Sequence, residues 1–185
     1  VHSCFFATVN EDWDYLLILQ YPSRRAFIEM ITDPEYQELL RYRSAALTNS
    51  RLIECVNDTP AGYPLNLQAP PPSDPIIERP GLFSDPRVNA VNGRDPKQPT
   101  DMLNLIRLAE VTRSGGGVDN MSGAEGYEEY RTGVTSLYAE RAGVEITWRA
   151  FPVATLIGPE EECWDEALIY HYQSREQMLS MFTDY

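Results

Sequence analysis

Apolar and polar residues form short, distinct patterns at both ends of the chain, separated by a long stretch with no pattern. Residues 2–9 read as a short strand and 12–14 as the turn into the next. Residues 15–21 are apolar except at Gln20, which predicts a strand buried on both faces. Pro22-Ser23 opens a helix, and Asp33-Pro34-Glu35 restarts it with a capping Asp, Pro at the first helical position and an acid in the first turn. Tyr36, Leu39, Leu40 and Leu47 then follow at helical spacing, with Arg43 interrupting the stripe and its stem lying along it. Residues 51–56 make another strand. Further on, 102–110 predict a strand, and Ser122-Gly-Ala-Glu125 is a capping box. The helix it opens carries Tyr127, Tyr130, Val134, Leu137 and Arg141 along one side and stops at Gly143. Residues 144–157 are a long strand in which Phe151-Pro152 demands a bulge or an edge. Residues 160–163 form a turn, 164–172 the next strand, and Ser174-Arg-Glu-Gln177 a second capping box.

The two ends also match each other. Residues 13–33, WDYLLILQYPSRRAFIEMITD, align without a gap on 164–184, WDEALIYHYQSREQMLSMFTD, with ten identities in 21 positions. Such a repeat constrains the fold. The first copy reads β-β-α-β and the second β-α-β-β-α; completed, each is β-α-β-β-α-β. The expected class is therefore α+β, built from duplicated ferredoxin-like units. Each antiparallel sheet would carry its helices on one face, and two bare faces brought together make an α/β barrel. The expected division is 1–56 for the end of the first repeat, 57–101 for a linker or arm, and 102–185 for the second repeat, cut short in mid-helix. Residues are accordingly expected beyond both ends. Ten of the fourteen prolines fall in 57–101, around Pro70-Pro71-Pro72, where the ring fixes φ and removes a donor. Leu65, Leu67, Ile76, Ile77, Leu82 and Phe83 would be wasted on a free linker, which favours a packed arm.

A formal charge of −13 disfavours nucleic acid and anionic membrane surfaces as partners. The longest aliphatic cluster, residues 16–19, is too short to cross a bilayer, and nothing at the start reads as a signal peptide. Cys4, Cys55 and Cys163 are odd in number and scattered, which suits a reducing cytoplasmic setting and neither a disulfide framework nor a zinc site.

Several of these motifs, in this order, resemble the family catalogued as domain of unknown function 1330. Its C-terminal half runs as Trp-Asp, a strand ending Tyr-Pro-Ser-Arg, a helix into Asp-Pro-Glu-Tyr and then Arg-Leu-Ile, as residues 13–55 do here. MLNLIRLAE, GYEEYRTGV, GVEITWRAFPVATLIGPEEE and WDEALIYHYQSREQM are similar to the remainder. The resemblance covers about three quarters of the chain and omits the proline-rich arm. It implies the dimeric α/β-barrel superfamily, with relatives among cofactor-free monooxygenases, lactone isomerases and haem-binding or haem-degrading enzymes. It transfers a fold and not a reaction.

Five residues stand out as site candidates. His171 lies on a predicted central strand, sharing a face with Ala167 and Ile169, and its imidazole suits general-base work near neutrality. The plainer role is a hydrogen-bonded core or rim histidine. Asn104 matches the Asn-Leu-x-Arg/Lys pattern of the resemblance and would orient a carbonyl or enolate; otherwise it bonds backbone. Arg149 would bind a substrate carboxylate or pair with one of the many acids. Trp148 would be pocket wall or core, and Tyr130, with Tyr127, the mouth of a cavity. Trp13-Asp14 and Trp164-Asp165 occur in both copies and read as structural turns. Gly115 to Gly117 lack nucleotide-binding spacing and suit a lid; Glu160 to Glu162 suit a solvated turn rather than a metal site. No cofactor is called for. Two functions stay open: a metal-free isomerase, lyase or monooxygenase binding a small organic molecule, or a non-catalytic binding and assembly protein. A homo-oligomer is expected in either case.

Overall fold

The computed structural model describes residues 2–3, 12–57, 95–112, 120–142, 144–159 and 162–183. The chain forms two compact units, Val1–Arg51 and Leu52–Tyr185. Most of the proline-rich arm, the three-glycine loop, Cys4 and Glu160-Glu161 lie outside the described residues.

In the first unit, β1 (His2–Ser3) pairs antiparallel with β2 (Asp12–Trp13), where the sequence pattern expects a turn. Two helices follow. Helix α1 (Arg24–Thr32) is capped by Ser23, whose Oγ accepts from the Ala26 amide at 3.1 Å. Helix α2 (Pro34–Ala46) starts as its Asp-Pro-Glu signal requires, with Asp33 Oδ1 accepting from the Glu35 amide at 2.8 Å. Neither helix buries a single residue.

Residues 15–21 depart from expectation. They form no strand, and Tyr15, Leu17 and Leu19 are 83%, 75% and 67% exposed. Among the described residues the segment has no neighbouring strand. A strand buried on both faces needs a ladder on each side, and among the described residues of this unit only the two-residue β1–β2 pairing exists.

The second unit has those neighbours. Strands β3 (Leu52–Val56), β4 (Thr100–Ile106), β5 (Glu145–Ile157) and β6 (Glu166–Tyr172) form one antiparallel sheet in the order β3-β5-β6-β4. Helices α3 (Gly123–Ala142) and α4 (Arg175–Thr183) complete an α+β unit. β3, which the pattern assigns to the end of the first repeat, pairs here with the far half of β5. The expected irregularity at Pro152 is present: β5 slips by one residue against β3 between Pro152 and Ala154, where proline has no N–H to give.

Local chemistry fixes the ends of these elements. The Ser122 box closes both ways, with Glu125 donating its amide to Ser122 Oγ at 3.1 Å and Ser122 donating its own to Glu125 Oε2 at 2.8 Å. Gly123 approaches so closely that a Cβ there would overlap the Ala109 carbonyl, to which its amide donates at 3.1 Å. The end of the proline-rich segment is anchored on α4: the Arg175 and Glu176 amides donate to Gln98 and Pro96 carbonyls at 2.9 Å. Asp165 is fully buried and does what a turn carboxylate should, accepting from the Leu108 amide at 2.8 Å. That bond, with Asp165 N–H on the Ile106 carbonyl, ends β4 before the expected Glu110. Among the described residues, the buried apolar side chains, Leu108, Ala150, Phe151, Ala167, Leu168, Tyr172 and Met178, all belong to this unit. Each large one contributes roughly 1.5–3 kcal/mol by leaving water.

Candidate active site on the second sheet

Register decides which candidates share a face. Partners directly opposite in an antiparallel ladder project to the same side. One face therefore carries three rows: Asp101, His171 and Glu145; then Leu103, Ile169 and Trp148; then Leu105, Ala167 and Ala150. The other carries Met102, Tyr170 and Ile146, then Asn104, Leu168 and Arg149, then Ile106 and Glu166. A bulge at Thr147 keeps Glu145 and Trp148 on the same side.

The second face lies under α3. Tyr127 of that helix hydrogen-bonds Tyr170 and lies in the field of Glu166. Burial, with Tyr170 and then Tyr130 beside it, pushes the Tyr172 phenol up to about 12; burial likewise raises Tyr127 and Tyr170. Glu166, almost wholly buried, accepts from Arg149 Nε at 2.5 Å, and the same guanidinium stacks 5.0 Å from the Phe151 ring centre. Arg149 is thus engaged by an internal acid. Asn104 donates to the Met102 carbonyl at 3.1 Å. Tyr130, exposed on α3, has its ring 5.8 Å from that of Tyr127.

His171 is on the first face, so the sheet itself separates it from Asn104 and Arg149. The three do not form one constellation. What accompanies His171 is Asp101, whose Oδ1 is 2.7 Å from His171 Nδ1. Their side chains are 34% and 67% exposed, so the pair is open to solvent and solute alike. A carboxylate on Nδ1 fixes the ring and directs Nε2, the basic nitrogen of that tautomer, outward. Leu103, Ile169 and Trp148 form an apolar row next to it, with Leu103 exposed and the other two half-buried. A basic nitrogen beside an apolar shelf can take a proton from a weak carbon or oxygen acid lying on that shelf.

Sequence reasoning missed Asp101, which it left in the proline-rich segment. The alternation Asp101-Leu103-Leu105, running into the following strand, was the available signal. It also missed Glu166, an acid on an interior strand, whose partner Arg149 it had in hand.

Among the described residues, no three His, Cys, Asp or Glu side chains gather as a metal site, and no helix is long and apolar enough to cross a membrane. A hollow of about 50 Å³ lies at the other end of β5, against Thr155, Glu162, Cys163 and Trp164, and is too small for more than water. Burial, with Glu54 alongside, pushes the Cys55 thiol up to about 11, so it is no nucleophile near neutrality.

Comparison with known proteins adds a likeness to solved structures. No family model matches the chain, and no curated protein matches it. Two solved structures do: a methylated RPA0582 protein, and the RPA0582 protein of unknown function from Rhodopseudomonas palustris. Each is 30% identical to this chain over 53% of its length, covering 71% and 72% of the neighbour, with TM-scores of 0.48 and 0.47. The chain is similar to a protein whose own function is unknown.

Proposed function

We propose that the second unit is a ferredoxin-like repeat whose open sheet face binds a small, partly apolar organic molecule, and that His171 serves there as a metal-free general base. The supporting observation is the 2.7 Å contact between His171 Nδ1 and Asp101 Oδ1 beside an apolar row. Asp101 is the positioning residue, because it acts through the imidazole. In this reading Trp148, Leu103 and Ile169 hold the apolar part of the ligand, while Arg149 and Asn104 serve the helix-covered side. The open face is closed by a second sheet of the same kind, giving the duplicated α/β barrel and a homo-oligomer. The reaction class is proton abstraction next to a carbonyl, as in isomerisation or the first step of a cofactor-free oxygenation.

A panel of β-dicarbonyl compounds in D2O tests this directly, with deuterium incorporation at the activated carbon followed by proton NMR. Wild-type protein is expected to accelerate exchange of at least one member. H171Q should lose at least about 100-fold of that acceleration, a typical general-base contribution, and D101N an intermediate amount. Equal exchange rates for wild type and H171Q would remove His171 from the chemistry. The alternative, a binding and assembly protein, is favoured by a different observation: the row of exposed apolar residues at 15–19.

A further inference from the structure

Among the described residues, neither 15–21 nor the outer edge of β4 has a partner strand. The segment 15–21 matches Glu166–Tyr172 in sequence, and those residues pair with strands on both sides, β4 and β5. The pattern is therefore able to form a strand when neighbours exist. In the first unit it takes no regular secondary structure and is exposed over 15–20, and no backbone hydrogen bond between 15 and 21 is seen among the described residues. β4, for its part, ends the sheet: its inner side pairs with β6 in unbroken register from Thr100↔Tyr172 to Ile106↔Glu166, and its outer side has no partner strand among the described residues.

Edges of this kind are normally guarded by lysine, proline, a bulge or a short length. Neither segment has such a guard. Residues 15–21 read YLLILQY, and β4 reads TDMLNLI, with Asp101 its one charge and seven residues in each. The opposite edge, β3, differs: it is five residues long and slips register twice against β5. β4 is the receptive edge.

We propose that residues 15–21 of one chain add as a fifth strand to the free edge of β4 in a second copy of the chain, and that the exchange is reciprocal. This is strand addition, with main-chain hydrogen bonds supplying affinity and alternate side chains supplying fit. Reciprocity closes the assembly as a two-fold dimer. Burial of Leu17 and Leu19, or of Leu16 and Ile18, according to which side meets the apolar row, removes the exposed apolar surface. The added strand lies directly beside Asp101, so a partner's residues form one wall of the His171 site. The proposal does not depend on what His171 does.

The test uses the intact 185-residue chain. Light scattering after size exclusion gives the mass, and hydrogen–deuterium exchange by mass spectrometry gives amide protection along the chain. Ile18→Pro removes an N–H and blocks the ladder, and Leu17→Lys places a charge on it; both residues are exposed in the single chain. The expected result is a wild-type dimer with protected amides at 15–21 and along β4. Each variant should be a monomer that loses protection at both places while the β5–β6 ladder keeps its protection, which shows that the fold survives. A wild-type monomer overturns the proposal, whether 15–21 exchange fast or are protected by pairing within one chain. A dimer that persists in both variants overturns it as well.

Discussion

Residues 13–33 and 164–184 are one sequence pattern with two outcomes. The helical halves agree. Ser23 and Ser174 each accept an amide three residues on at 3.1 Å, and each opens a nine-residue helix, Arg24–Thr32 and Arg175–Thr183. The strand halves do not. Leu168 is wholly buried in the middle of a sheet, whereas its counterpart Leu17 is 75% exposed. A helix start is local: its cap and first turn lie within four residues. A strand is not local, because its hydrogen bonds come from other segments. The second copy finds β4 and β5; the first finds no such pair among the described residues of its unit. The comparison also explains the site. At the position of Gln20 the second copy has His171, where a neighbouring strand supplies Asp101.

The largest expected difference between the copies is electrostatic. Where the first has Tyr15, the second has buried Glu166 held by Arg149. Arg149→Met leaves that carboxylate without its guanidinium partner and should cost about 3–5 kcal/mol, read as a fall in the urea midpoint. Tyr15→Glu makes the matching change in the exposed copy and should move the midpoint hardly at all.

Packing comes next. Leu168→Ala should destabilise by about 2–5 kcal/mol, the usual range for a buried leucine. Leu17→Ala, measured dilute enough to keep the chain monomeric, should stay within about 0.5 kcal/mol. Equal losses at the two positions would mean that the first copy is packed like the second.

The smallest effect appears only in alkali. Tyr172, Tyr127 and Tyr170 have phenols raised by burial above the ordinary value of 10. The native state therefore holds their protons more tightly than the unfolded chain does. That contribution is fully present below pH 10 and is lost as pH rises from 10 through the folded value, about 12 for Tyr172. Urea midpoints from pH 9 to 12, with phenolate absorbance followed in parallel, should fall over that window by an amount on the order of 2–3 kcal/mol for Tyr172 alone. Tyr172→Phe should reduce the fall.

These differences mark what the sequence makes legible. Caps, the Asp-Pro-Glu restart, the bulge at Pro152 and the role of Asp165 follow from nearest neighbours, and sequence reading reaches them. The fate of 15–21 depends on strands elsewhere, and its apolar pattern says only that a strand is possible. The candidate site is lost for the same reason. Alternation along β6 places His171 correctly with Ala167 and Ile169, but only the β4–β6 register shows that Asp101 faces it. The same register places Asn104 and Arg149 on the far side.

The most direct measurement is nitrogen-detected NMR of the His171 ring at a pH where it is neutral. Donation of an Nδ1 proton to Asp101 predicts a ring protonated at Nδ1 with Nε2 bare, shifting toward a mixture of tautomers in D101N. A ring protonated at Nε2, or a spectrum that D101N leaves unchanged, would contradict the assignment of His171 as an oriented base.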